Sequence, residues 1–529
     1  MKVPLVVTDF IDRARSLFGD VEAVSCGGER LTYGRLAERI DRASAAYMRL
    51  GVTRGDVVAF VSFNCHRLLE AYYALPQMGA ILLPINIRLT PEDVGYILAD
   101  AGATTAVVDR ALAGLIAPVA KSLPKLRTIV LIGGDARTSA ALSGEDYEAL
   151  LASAPATFER PALDEDDVAE LFYTSGTTAR PKGVMLTNRS LYMHAMGAVV
   201  GLGCDDRIVQ LHSIPLFHVN GWGTPHSVTM VGGRHVMLPR FDPDQVLETI
   251  ERERVTDMFV VPTMALALLA DPSCATRDLT SLRRVMVGGA ASPSSLIRAL
   301  DERLHGCDVT CGYGLTETSP VLTIATLRRG VEGSDDRRRD KRTTAGMPIP
   351  GVRVEIMDER AAILPHDGTS RGEIVARGNS VTAGYWGQPE ATQEVMIDGW
   401  FHTGDIGTID PEGYLRIVDR KKDIIITGGE NVSSIEIEKA IFEISAVADC
   451  AVIAAPDKLW GEVPFAIVVL KPGAKLDAAA VIAHCKSQLA GFKVPHRVAI
   501  SDEPLPKGGT GKILKRELRK RYLEPSSGG

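Results

Sequence analysis

The chain has little of what marks several protein classes. Its eight cysteines, spread over 529 residues, include no Cys-x-x-Cys pair, so no disulfide framework is encoded. They read as the reduced thiols of a cytoplasmic protein, and Cys307 and Cys311, three residues between them, give only a weak metal hint. A basic excess is also missing. The formal net charge is -7, which argues against a nucleic-acid binder. Long apolar runs are absent too. The most apolar stretch, Phe259 to Ala270, is interrupted by Pro262 and Thr263 and is too short to span a bilayer. The apolar run after Met1-Lys2 is too short for a signal peptide, and Pro525-Ser-Ser-Gly-Gly529 reads as a frayed end with no peroxisomal address. No repeat of solenoid period is visible. A soluble protein is expected, with peripheral contact to a membrane surface left open.

What is there is a globular composition, 45% hydrophobic and 24% charged, in a chain long enough for two or more domains. From about Pro4 to Asp109, helical and strand-like stretches alternate. Phe10–Phe18 and Tyr33–Leu50 read as helices, with Gly51 ending the second. Val57–Phe63 reads as a strongly apolar strand, followed by a helix over Leu68–Met78. Short strands recur at Ala80–Pro84, Thr105–Val108 and Thr128–Ile132. This alternation predicts an α/β fold with largely parallel strands. Past Lys422 the pattern resets to a compact α+β unit of about a hundred residues. Its helix following Gly428-Gly429 is capped by Ser433 or Ser434.

One stretch organises the rest: Leu171-Phe-Tyr-Thr-Ser-Gly-Thr-Thr-Ala-Arg-Pro-Lys-Gly183. An apolar strand runs into hydroxyls and a glycine, and a helix-compatible run capped by Thr187 or Asn188 follows. Thr174, Ser175, Thr177 and Thr178 offer hydroxyls and backbone N–H groups. Gly176 lets the backbone approach an anion, and Lys182 adds a charge. Such a loop suits polyphosphate. It is not a Walker loop, because Gly183 follows Lys182 where a hydroxyl would be needed. A Ser/Thr/Gly surface turn has the same composition.

Further stretches could carry chemistry. Ser213-Ile-Pro-Leu-Phe-His-Val-Asn-Gly-Trp222 sets a histidine and a tryptophan beside proline and glycine; a core-edge loop would read the same way. Arg284-Val-Met-Val-Gly-Gly-Ala290 is a strand entering a turn where Gly288, Gly289 and Ala290 would let a planar base lie against backbone. Thr310-Cys-Gly-Tyr-Gly-Leu-Thr-Glu317 offers the face of Tyr313, cleared by Gly312 and Gly314, and the oxygens of Thr316 and Glu317 that a hard cation prefers. Asp405 and Arg420 could accept from and donate to ribose hydroxyls. The Lys/Arg-rich run Arg328–Arg342 reads as a solvated, mobile loop, or else as a patch for the phosphates of a cofactor.

Taken together these stretches resemble the adenylate-forming superfamily, which includes acyl-CoA synthetases, and they occur in its order over nearly the whole chain. Its phosphate signature usually has glycine where Ala179 stands; the rest of that signature is intact. The resemblance implies a large N-terminal domain of mixed sheets flanked by helices, residues 1–420. A small mobile C-terminal α+β domain, 421–529, would turn about a hinge near Lys422. It implies ATP, Mg2+ and CoA as reactants or cofactors, and a two-step reaction that makes an acyl-AMP and then a thioester. Thr174–Thr178 and Lys182 would hold phosphates, and Glu317 the metal. Gly289, Ala290, Gly312–Gly314 and Ile417 would lie about the base, with Asp405 and Arg420 on the ribose. The catalytic set would be Lys512, Glu317, Thr174, Lys182 and His218. An acyl pocket would comprise His218, Trp222, Gly288, Gly314 and Val321, with Trp222 as its gate, and Gly429 would line a pantetheine tunnel. A medium- or long-chain fatty acid, or a small alkyl analogue, fits the resemblance, as does a homodimer. Its rivals are an enzyme loading a carrier protein, a luciferase-type oxidising enzyme, and a nucleotide-binding paralogue without catalysis.

Overall fold

The computed structural model describes residues 1–134, 142–174, 180–290, 292–329, 331, 334–508 and 513–523. Among these residues the strands assemble into four sheets. The first runs Gly384–Tyr385, Lys182–Thr187, Val168–Thr174, Ile81–Pro84, Val57–Val61, Thr105–Asp109, Thr128–Ile132, Glu145–Asp146. From Val168–Thr174 onward its neighbours are parallel. Helices cover both faces of parallel strands, which is why Val57–Val61 is an unbroken apolar run, buried at every residue.

The second sheet has six parallel strands in a row: Asp308–Gly314, Arg284–Val287, Asp257–Val260, Val209–His212, Arg234–Met237 and Glu22–Cys26. Parallel neighbours end at the same edge, so the turn after Val287 and the one after Gly314 lie side by side. Ligands in open α/β sheets gather at such carboxyl edges. The third sheet is antiparallel and places Asp405 of Trp400–Ile409 opposite Arg420 of Leu415–Arg420. The fourth is built on the hairpin Val447–Asp457/Gly461–Leu470. It carries the helices Ser434–Phe442, Ala478–Gln488 and Lys515–Leu523. This is the α/β architecture read from the sequence, with a small C-terminal α+β unit.

Two local readings are corrected, and one left between two residues is settled. A strand, Lys182–Thr187, intervenes between the phosphate loop and the helix Asn188–Leu202, and pairs antiparallel with Val168–Thr174. Its alternation is short, and it begins inside the Pro181-Lys-Gly183 run. Thr187, not Asn188, is the cap, accepting from the Ser190 N–H. The basic run is no solvated loop over its second half, because Asp335–Arg342 is a helix pinned by acids. Lys341 pairs with Asp410 and Glu412, and Arg342 with Asp301.

Candidate active site

The antiparallel pair Val168–Thr174/Lys182–Thr187 brings Thr174 opposite Lys182. Ser175, Gly176, Thr177, Thr178 and Ala179 lie outside the described residues. On the far side of Lys182–Thr187 sits the two-residue strand Gly384–Tyr385. The Lys182 ammonium lies 4.9 Å from the Tyr385 ring centroid, a cation–π distance. The Tyr385 hydroxyl in turn donates to Glu317 Oε1 over 2.9 Å. Burial, with the Glu317 carboxylate beside it, drives the Tyr385 phenol well above its ordinary range. It therefore stays a donor. Glu317 is further fixed by its own carbonyl, which accepts from the Thr382 N–H at 2.8 Å.

Among the described residues no group of three or more His, Cys, Asp or Glu side chains could cage a metal, the Cys307–Cys311 neighbourhood included. A single carboxylate such as Glu317 would hold magnesium only as one ligand beside phosphate oxygens and water.

Four residues before Glu317, Tyr313 donates to Asp405 Oδ2 at 2.7 Å, and Arg420 Nε lies 3.6 Å from Asp405 Oδ1. Burial and the Asp405 carboxylate hold the Tyr313 phenol protonated. A cavity of about 400 Å³ opens beside this cluster, lined among others by Ala290, Gly312, Tyr313, Ile417 and Lys439. Gly314 has a different reason to be glycine. A Cβ there would stand 1.8 Å from the Pro320 carbonyl, so the missing side chain closes the hairpin and clears no room for a ligand. Thr316 is buried in the single 3-10 turn between them.

Trp222 is almost wholly buried and stacks on Phe259, centroids 5.9 Å apart. Its ring covers Gly288 and Gly289, and a Cβ on Gly288 would come within 3.1 Å of it. Val321 belongs to the same core cluster as Trp222, and its N–H donates to His194. His218 is half-buried at the entrance to this segment, and its carbonyl accepts from Gly221.

The C-terminal unit meets this site through its first helix. Ser433 caps Ser434–Phe442, and Ser434 donates through N–H and hydroxyl to Asp419 Oδ2, one residue before Arg420. Lys422 is exposed between the third and fourth sheets. Gly429 is not brought to the cluster. It sits exposed at the tip of the hairpin Ile425–Thr427/Glu430–Val432 with nothing within 4 Å of a built Cβ. Lys512 lies outside the described residues.

Residues 11–386 match the AMP-binding enzyme family and residues 436–512 the AMP-binding enzyme C-terminal domain. The chain belongs to the AMP-binding enzyme family. It is 38% identical to a long-chain-fatty-acid–CoA ligase of Thermus thermophilus, over 99% of this chain and 96% of that one. It is equally 38% identical to a feruloyl-CoA synthase of an Amycolatopsis species, over 94% and 96%. Among solved structures, an anthranilate CoA ligase in complex with anthranoyl-AMP superposes with a TM-score of 0.88 at 27% identity, over 99% of both chains. The chain is accordingly an AMP-forming acid–thiol ligase. No helix among the described residues is long and apolar enough to cross a membrane.

Sequence reasoning missed Tyr385, which bridges Lys182 and Glu317. The signal available was slight: an aromatic after glycine in Ala383-Gly-Tyr-Trp386. It also missed Lys439, whose place on the cavity wall follows only from how the last sheet docks.

Proposed function

We propose that this AMP-binding enzyme activates an alkyl carboxylic acid, of fatty-acid type or a small analogue, and passes it to CoA. One observation carries the reading. Within five residues, Tyr313–Glu317 sends one side chain to the Asp405–Arg420 cluster and another to the Lys182–Tyr385 cluster. A nucleoside triphosphate laid along that stretch would set its ribose at Asp405 and Arg420 and its base against Gly289, Ala290, Gly312, Tyr313 and Ile417. Its phosphates would meet Lys182 and the loop after Thr174.

The carboxylate attacks the α-phosphorus of ATP, an acyl-AMP forms and pyrophosphate leaves. The CoA thiol then attacks the acyl carbon, and AMP leaves. Lys182 and the Thr174–Thr178 hydroxyls hold the departing phosphates. Glu317 would hold a magnesium ion, which when bound supplies charge neutralisation to the pyrophosphate. Lys512 would reach the carboxylate and α-phosphate, where a preorganised cation is worth roughly 10²–10³ in rate. The exposed place of Gly429 accords with an arrangement suited to the first step. Rotation of residues 421–529 about Lys422 would bring that glycine to the pantetheine channel for the second. The acid would lie with its chain toward Trp222, Gly288 and Val321, with His218 at the mouth.

The test is direct. The enzyme is incubated with ATP, Mg2+, CoA and a panel of straight-chain, branched and aryl acids, and pyrophosphate and AMP are followed. Thioester formation favouring an alkyl acid is expected. Release confined to aryl acids, or pyrophosphate without CoA-dependent AMP, overturns it.

A further inference from the structure

Five consecutive residues carry left-handed backbone at the start of the helix Val219–Val231. Their φ angles are +35° at Val219, +44° at Asn220, +54° at Gly221, +66° at Trp222 and +85° at Gly223. Glycine adopts this region freely; valine and tryptophan do so only when their surroundings compel them. Trp222, the residue assigned above to the acid pocket, therefore stands on a turn that something must hold.

What holds it is a polar cluster sealed from solvent. Asn220 Oδ1 accepts from the Gly223 N–H at 2.7 Å, closing the turn, and Asn220 Nδ2 donates to Glu170 Oε2 at 2.8 Å. The other carboxylate oxygen of Glu170 lies 2.6 Å from His226 Nε2, one helical turn further on. Glu170 and Asn220 are 0% exposed and His226 1%. His226 Nδ1 is buried with no hydrogen-bond partner, which fits an imidazole with its proton on Nε2, pointed at the carboxylate. On either side, Tyr72 donates to the Leu216 carbonyl and Tyr73 to the Pro225 carbonyl.

Packing alone could be supplied by apolar residues, and a buried carboxylate is a costly substitute for them. What the carboxylate adds is direction. With both oxygens engaged, it fixes which end of the Asn220 amide faces Gly223. Glu170 also sits on the strand Val168–Thr174, four residues before Thr174. It thus ties the strand that feeds the phosphate loop to the turn that aims the tryptophan.

We infer that Glu170, acting through Asn220 and His226, is a positioning residue that sets the Trp222 ring against Gly288 and Gly289 and so selects the acid. The inference rests on the proposed placement of the acid beside Trp222. The experiment compares Glu170→Gln, Asn220→Gly and Trp222→Ala, each alone and the first two also combined with Trp222→Ala. Asn220→Gly cuts the link from the turn side without straining the left-handed backbone, and serves if Glu170→Gln fails to fold. For each, kcat/KM is measured over acids of increasing chain length, with KM for ATP alongside.

Expected is a shift of at least about fivefold in the long-to-short ratio, within what an apolar pocket discriminates, with KM for ATP within about twofold. That shift should vanish in the Trp222→Ala background, as coupled residues require. A uniform loss across all acids, or a shift that persists in full without Trp222, overturns the inference and leaves the pocket intact. If Trp222→Ala itself leaves the ratio unchanged, the assignment of the pocket falls instead.

Discussion

Tyr385 donates its phenolic proton to Glu317 Oε1 at 2.9 Å while its ring face receives the Lys182 ammonium. The carboxylate proposed for the metal and the cation proposed for the phosphates are thus held by one side chain, from a strand of two residues. Removing the hydroxyl should loosen the carboxylate while the ring still seats the lysine. Tyr385→Phe is expected to lower the rate of pyrophosphate release by about tenfold, the worth of a hydrogen bond to a charged group. Glu317→Gln should cost at least as much, with a melting temperature close to that of the unaltered enzyme. Full activity in Glu317→Gln would remove it from the site.

Gly288 offers a test of how closely the tryptophan is fitted. An added methyl would meet the Gly312 carbonyl at 3.0 Å and the Trp222 ring at 3.1 Å, so the ring must yield. Gly288→Ala should narrow the range of accepted acids, bulkier ones losing about tenfold or more in kcat/KM relative to the smallest. An unchanged acid profile would separate Gly288 from the pocket.

The two half-reactions can be divided between two residues. Lys512→Ala should slow acyl-AMP formation by roughly 10²–10³, yet still convert supplied acyl-AMP and CoA to thioester. Gly429 has φ +86° at an exposed hairpin tip, so any side chain strains the turn. Gly429→Ala therefore measures strain, and Gly429→Leu adds bulk. Leu should block thioester formation well beyond Ala while leaving pyrophosphate release near normal. Equal loss of both steps in both residues, with folding intact, would rule out a rotating small unit.

Acid should unfold the protein early. Burial lowers His66, His194 and His212 to about 3, so they stay neutral in the fold. An unfolded histidine takes its proton near the ordinary value, so the unfolded chain binds more protons below that point. Above about pH 6.5 these groups leave stability unchanged; below it each removes up to about 1.4 kcal/mol per pH unit. The melting temperature should be level from about pH 8 to about pH 7 and fall steeply toward about pH 5. A level curve through that range would mean the imidazoles are not sealed as described.

The elements legible in the sequence were those with long or pure patterns. The amphipathic Tyr33–Arg49 and the apolar Val57–Val61 need no partner to be recognised. The motifs led to Tyr313, Asp405 and Arg420, which the fold gathers from strands about ninety residues apart in sequence. Elements made by pairing were not legible. Gly384–Tyr385 is a strand only because Val184 and Met185, two hundred residues earlier, lie beside it. Asp335–Arg342 carries no apolar face, and acids on other elements hold it. Nothing in the local pattern singles out Glu170, because the side chains it serves lie about fifty residues on.

The cavity beside Tyr313 is walled on one side by Arg416, Ile417 and Val418 and on the other by Ser433, Ile435, Glu436 and Lys439. The first wall is a strand of the third sheet and the second is the capped helix Ser434–Phe442 of the C-terminal unit, joined by the fourteen residues 419–432. A ligand held there would act as a strut between them, raising the temperature at which the C-terminal part melts away from the rest. Nucleotide would then shield the connecting stretch around Lys421 from proteases, and each release of AMP would make that stretch briefly open to cleavage.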